Sequence, residues 1–174
     1  MVYCYRKRGI ILNNYIINVE TLLIIPYGKG KSKIFENDKV FSVNESPSNI
    51  LKNSCLFFGA SIEGRRDAAK LILGIDMKVP IIVENTKNIL FFPVSNCVKR
   101  NSIWISYSNL LKYSKFNDFS TVVYFMNNMK VRVDAKYSLI DNQVIRCIKL
   151  ENLLNKRKNF IMTETIIDNN ENAI

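Results

Sequence analysis

Hydrophobic and polar positions divide the chain into short apolar runs and three longer stretches with helical spacing. Runs rich in Ile, Val and Phe, bounded by Asn, Gly, Pro or Lys, predict strands over residues 14–25, 32–36, 39–43, 81–84 and 89–94. Others follow over 102–107, 121–126 and 129–133. The apolar stretch 15–27 is interrupted by Asn18 and Glu20 and is shorter than the ~20 residues a membrane span needs, so it reads as a buried strand pair. Residues 1–8 are basic, but no small-residue cleavage site follows the apolar run, which argues against a targeting segment.

The first helix is expected to open at Ser46 and Pro47, where a hydroxyl can cap and proline suits the first helical position, and to end at Gly59. Leu51, Cys55 and Phe58 form its buried stripe. The second spans 62–73 before Gly74, and the third spans 138–158, with Ile140, Val144, Ile148 and Leu154 on one side. Short strands without regular β-α-β alternation, followed by a terminal helix, predict an α+β fold with a mainly antiparallel sheet, two inserted helices and a long C-terminal helix. With no repeat and no low-complexity linker, residues 1–158 read as a single domain and 159–174 as a short, acidic, flexible tail.

Charge brings in function. The 174 residues carry 25 Lys and Arg against 15 Asp and Glu and no histidine, a net of +10. Such an excess repels itself and implies an anionic partner, or else a solubilising surface. Every basic group lies before residue 159, while Glu164, Asp168 and Glu171 make the remainder acidic.

Three basic surfaces emerge. On the second helix, Arg65, Arg66 and Lys70 fall within a roughly 140° arc, with Ala68, Leu71, Ile72 and Ile75 pointing the opposite way. The alternative is an ordinary solvated face, softened by Glu63 and Asp67. The second surface is a hairpin about a two-residue turn at Asn127 and Asn128. That turn sets Phe125 opposite Lys130 and Val123 opposite Arg132 on one face, leaving Val122, Tyr124, Met126, Met129, Val131 and Val133 for the core. A ribbon bearing Lys and Arg can enter a DNA groove, and an edge blunted by charge against aggregation accounts for it as well. On the third helix, Arg146, Lys149, Lys156 and Arg157 flank Leu150 and Leu153, which suits either a phosphate-contacting helix or a dimer seam.

Catalysis finds little support. Without histidine there is no Ser-His or Cys-His pair, no imidazole acid–base chemistry and no usual zinc ligand set, and the acids are scattered singly. Gly28 and Gly30 lack the spacing of a phosphate loop. No cofactor, metal or catalytic residue is expected. Cys4, Cys55, Cys97 and Cys147 form no C-x-x-C pair and read as reduced thiols of a cytoplasmic protein, with Cys55 and Cys147 in the core.

From residue 32 onward the sequence resembles the ComK family, the bacterial competence transcription factors. The first block comprises Ser32, Lys33 and Ile34 with Glu36, Asp38, Val40, Phe41, Val43 and Asn44. The more specific second block is Ser54, Cys55, Phe57, Phe58, Gly59, Ser61, Gly64 and Arg65, with Arg66 where the family has a basic residue. Pro80, Ile81, Val83, Phe92, Pro93, then Trp104 to Ser106, and finally Asn142 to Val144 with Arg146, follow in the same order. The resemblance implies a DNA-binding activator of DNA-uptake genes that recognises paired A/T-rich boxes in double-stranded DNA, acts as a dimer or higher oligomer, and promotes transcription by RNA polymerase. Readout of A·T pairs in the minor groove relies on groove width and suits a protein rich in Arg, Lys and Asn. It further implies a cytoplasmic, nucleoid-associated protein and control by a proteolytic adaptor, for which Phe160, Ile161 and Met162 are a partial match to an apolar tag. The rival reading is a basic RNA-binding module, which would display two or three stackable aromatics on an open strand face, and the sequence motif for that is absent.

Overall fold

A computed structural model of the chain describes residues 10–37, 39–94 and 102–171, with side chains from Ile11 through Phe160. The basic run 1–8, Cys4, Asp38, Cys97 and the acidic side chains of the C-terminal segment lie outside the described residues. The elements in chain order are β1 (Ile10–Leu12), β2 (Leu23–Pro26), β3 (Ser32–Phe35), β4 (Val40–Val43), α1 (Pro47–Phe57), α2 (Ile62–Leu73), β5 (Ile81–Glu84) and β6 (Ile89–Val94). They continue with β7 (Ile103–Ser106), β8 (Leu110–Lys115), β9 (Thr121–Phe125), β10 (Lys130–Val133) and α3 (Tyr137–Glu171). The fold is α+β, as the sequence predicts.

Seven strands form one sheet in the order β1-β4-β3-β2-β7-β6-β5, antiparallel throughout except for the parallel β1–β4 pair. Three more form a small antiparallel sheet, β10-β9-β8. One continuous core joins them: Ile24, Phe91, Phe92, Val123, Phe125 and Ile140 are all fully buried within it. All six residues of β6 are buried, since α3 packs beside it and strands flank it on both edges.

The local signals for α1 and α2 act as expected. Ser46 accepts from the Asn49 N–H, Pro47 opens α1, and Leu51 and Cys55 are buried with Phe58 half-buried beside them. Ser61 caps α2, and Gly74 closes it in the left-handed region at φ 67°, a conformation that costs glycine little.

Other expectations need correction. Of residues 14–25 only the part from Leu23 is strand. Asn18 diverts the chain first, because its carbonyl accepts from Thr21 N–H, its side chain accepts from Glu20 N–H, and Thr21 Oγ1 accepts from Asn18 N–H. Tyr15 and Ile17 are nevertheless buried, outside any strand. The Tyr15 hydroxyl donates to Glu36 Oε1 at 2.5 Å, and burial, then this bond, raises its phenol well above the ordinary range.

On α2, Leu71 is 81 % exposed and Ala68 is exposed too, while Ala69 and Leu73 are buried. On α3 the buried stripe is Ile140, Gln143, Cys147 and Leu150, with Val144 and Leu154 half-buried, and Ile148 faces out. The helix continues to Glu171 rather than stopping at residue 158.

Candidate nucleic-acid interface

The small sheet carries the largest correction. Lys130 pairs with Tyr124 and Arg132 with Val122, one residue out of step with the expected register. The turn is the cause: Asn128 N–H donates to the Phe125 carbonyl at 3.0 Å and Asn128 itself sits at φ 67°. That arrangement is a three-residue loop, not a two-residue one, and the positive φ that asparagine tolerates falls on its last position. A one-residue slip exchanges the two faces of a strand. Val123 and Phe125 therefore enter the core, and Val122 and Tyr124 join Lys130 and Arg132 on the outer face.

β8, which the sequence reading did not anticipate, completes that face. Lys112 pairs with Tyr124 and Ser114 with Val122, so both stand on the same side as Lys130 and Arg132. The strand was hidden because it is a half-exposed edge whose alternation is broken by a bulge at Leu111. Lys112, Lys130 and Arg132 are exposed, and strands β8, β9 and β10 contain no acidic residue. Lys115 contributes less, because its ammonium pairs with Asp118 at 2.6 Å and holds that carboxyl below the ordinary carboxylate range.

Aromatic rings lie among these cations. The Lys112 ammonium stands 5.1 Å from the centroid of the Tyr124 ring, and the Arg132 guanidinium 5.1 Å from that of Phe116. The inner side of β8 is anchored separately, where the Tyr113 hydroxyl donates to Asp141 of α3 at 2.7 Å.

The remaining expected site residues sit elsewhere. Arg65, Arg66 and Lys70 are half-buried on α2, which packs against β5 and α3. Arg65 lines a cleft with Ala69, Ile72, Ile82, Leu150 and Leu154, its Nε buried with no hydrogen-bond partner among the described residues. Lys70 pairs with Asp67 at 3.8 Å. On α3, Arg146 donates to the carbonyls of Met77 and Lys78 at 3.2 Å, and Lys149 donates to the Leu73 carbonyl at 3.4 Å. Both thus brace the connection from α2 to β5, a role that spacing along the helix did not reveal.

Cys55 and Cys147 are buried and free, and burial pushes the Cys55 thiol up to about 11 and the Cys147 thiol well upward. Neither is a thiolate at neutral pH. Among the described residues no three His, Cys, Asp or Glu side chains gather as metal ligands, and no helix is long and apolar enough to cross a membrane.

An α+β protein with an open, acid-free cationic sheet face is the class that the fold and this surface define. The family described as ComK protein matches residues 12–159, and the chain belongs to that family. It is 33 % identical over 138 residues to the competence transcription factor of Bacillus subtilis (strain 168), covering 78 % of this chain and 72 % of that protein. A transcription factor is not an enzyme class. No solved structure matches the chain.

Proposed function

We propose that this chain is a transcriptional regulator of competence genes whose residues 1–158 form a DNA-binding domain, and that the outer face of the small sheet meets double-stranded DNA at A/T-rich promoter boxes. The observation that carries the reading is the convergence of Lys112, Lys130 and Arg132 on one open face whose three strands contain no acid. Three cations on a rigid sheet neutralise phosphates in a fixed register, and release of the condensed counterions makes such binding fall with salt. An arginine among them can follow the narrow, electronegative minor groove of an A-tract. The family supports the transcriptional role, exercised with RNA polymerase in the cytoplasm on nucleoid DNA.

An A/T-rich duplex and a matched G/C-rich duplex, titrated at two salt concentrations, test the reading. The A/T-rich duplex is expected to bind more tightly at both. Equal affinities with the same salt slope would leave a nonspecific binder.

Self-association belongs to α3 in this reading. Ile145 is 55 % exposed and Ile148 is 43 % exposed, on a helix face shared with Leu153 and flanked by Lys149 and Lys156. Buried against a second copy, that apolar strip would leave water. Sedimentation of the Ile145→Glu, Ile148→Glu variant is expected to show a smaller assembly than the unmodified chain. An unchanged sedimentation coefficient would rule out this face as the contact.

A further inference from the structure

We infer that the outer face of the small sheet also takes single-stranded nucleic acid, by stacking unpaired bases on the rings of Tyr124 and Phe116. The inference rests on the reading above that this face meets nucleic-acid phosphates, and it adds a ligand that duplex recognition does not require. Placement is the first argument. Tyr124 lies on the central strand β9, between its cross-strand neighbours Lys112 and Lys130. Phe116 directly follows β8, is 52 % exposed, and continues the alternation of Lys112 and Ser114 on the same face. From the level of Tyr124, at its partner Lys112, to Phe116 is four residues, or ~13 Å at ~3.3 Å per residue. One base can thus lie at each ring without the two competing for space.

Chemistry is the second argument. Every base has a π-face, so rings on an open sheet bind unpaired bases with little regard to sequence, while cations beside them track the backbone. Here each ring already has a cation at 5.1 Å, Lys112 at Tyr124 and Arg132 at Phe116, so base and phosphate would be met together. Ser114 donates to the Tyr124 hydroxyl at 3.4 Å, which helps to orient the ring before any ligand arrives. A duplex cannot use these rings in this way, since its bases are stacked on one another. Its contact with the face is with phosphates and groove edges.

The test uses the full chain, fluorescence anisotropy at about 0.15 M salt, and three probes: oligo(dT) of about 15 nucleotides, an abasic phosphodiester of equal length, and an A/T-rich duplex. Oligo(dT) is expected to bind about tenfold or more tightly than the abasic strand, a preference that stacking on two rings supplies. The Tyr124→Leu, Phe116→Leu variant keeps the apolar bulk without the rings, and it should bind both strands alike. Equal binding of the two strands by the unmodified chain would overturn the inference, and so would a folded variant that keeps the preference. Oligo(dT) preference without duplex binding would remove the promoter reading and leave this one standing. Duplex binding without that preference would do the reverse. Oligo(U) as a fourth probe separates RNA from DNA as the source of the strand.

Discussion

Replacing Lys112, Lys130 and Arg132 together with alanine is expected to weaken binding to an A/T-rich duplex by about a hundredfold at about 0.15 M salt, equivalent to ~2.7 kcal/mol over three contacts. The slope of log affinity against log salt should become shallower by ~2.7, three counterions at ~0.9 each. Thermal stability should change little, because all three side chains are exposed and none forms an ion pair with an acid among the described residues. Two titrations and one melting curve check the result. An unchanged slope would place the phosphates on another surface. Arg65→Ala is a poorer probe than its position in the sequence suggests. That side chain lines the cleft between α2 and α3, so its removal costs packing whatever it does to DNA.

Phe125→Ala is expected to cost ~3–5 kcal/mol of folding stability, a large part of what a domain of this size possesses, whereas Tyr124→Ala should cost about 1 kcal/mol or less. Phe125 is fully buried in the common core and its truncation leaves a cavity. Tyr124 is half-buried on the outer face, where water can follow the lost ring. The register expected from a two-residue turn implies the opposite order, so urea unfolding of the two variants decides between the registers. A larger loss for Tyr124→Ala would mean that Tyr124, not Phe125, faces the core.

Much of this fold is legible in the chain because it is written locally. Ser46 and Pro47 open α1, Ser61 and Gly74 bound α2, and the apolar runs 81–84 and 89–94 are strands at the bounds that their composition predicts. Caps, proline and glycine act within one turn of backbone, so the neighbouring sequence contains the whole of their physics. The resemblance to the ComK family, seen from residue 32 to about 150, is likewise a property of the order of residues, and the family match over 12–159 extends it at both ends. The stretch 14–22 departs from strand for a different reason. Its apolar content is real and Tyr15 and Ile17 are buried, but Asn18 and Thr21 satisfy the backbone locally and end the strand pattern.

The candidate site was less legible than the fold. Lys130 and Arg132 were identified from the sequence, but their company was not. Lys112 and Phe116 belong to an edge strand whose bulge hides its period, and Tyr124 changed face when a two-residue turn became a three-residue one. Arg146 and Lys149 illustrate the converse. Their spacing marks them as a cationic helix face, yet the carbonyls that they meet come from residues about 70 positions away.

The sequence alone determined the fold class, the ends of α1 and α2, the basic excess and the family, because each depends on residue types and short-range order. Only the tertiary structure decided which cations share a surface. Register is set by one hydrogen bond at the turn and by which strand face the core accepts, and a shift of a single residue there exchanges the two faces of β9 while those of β10 stay as they were.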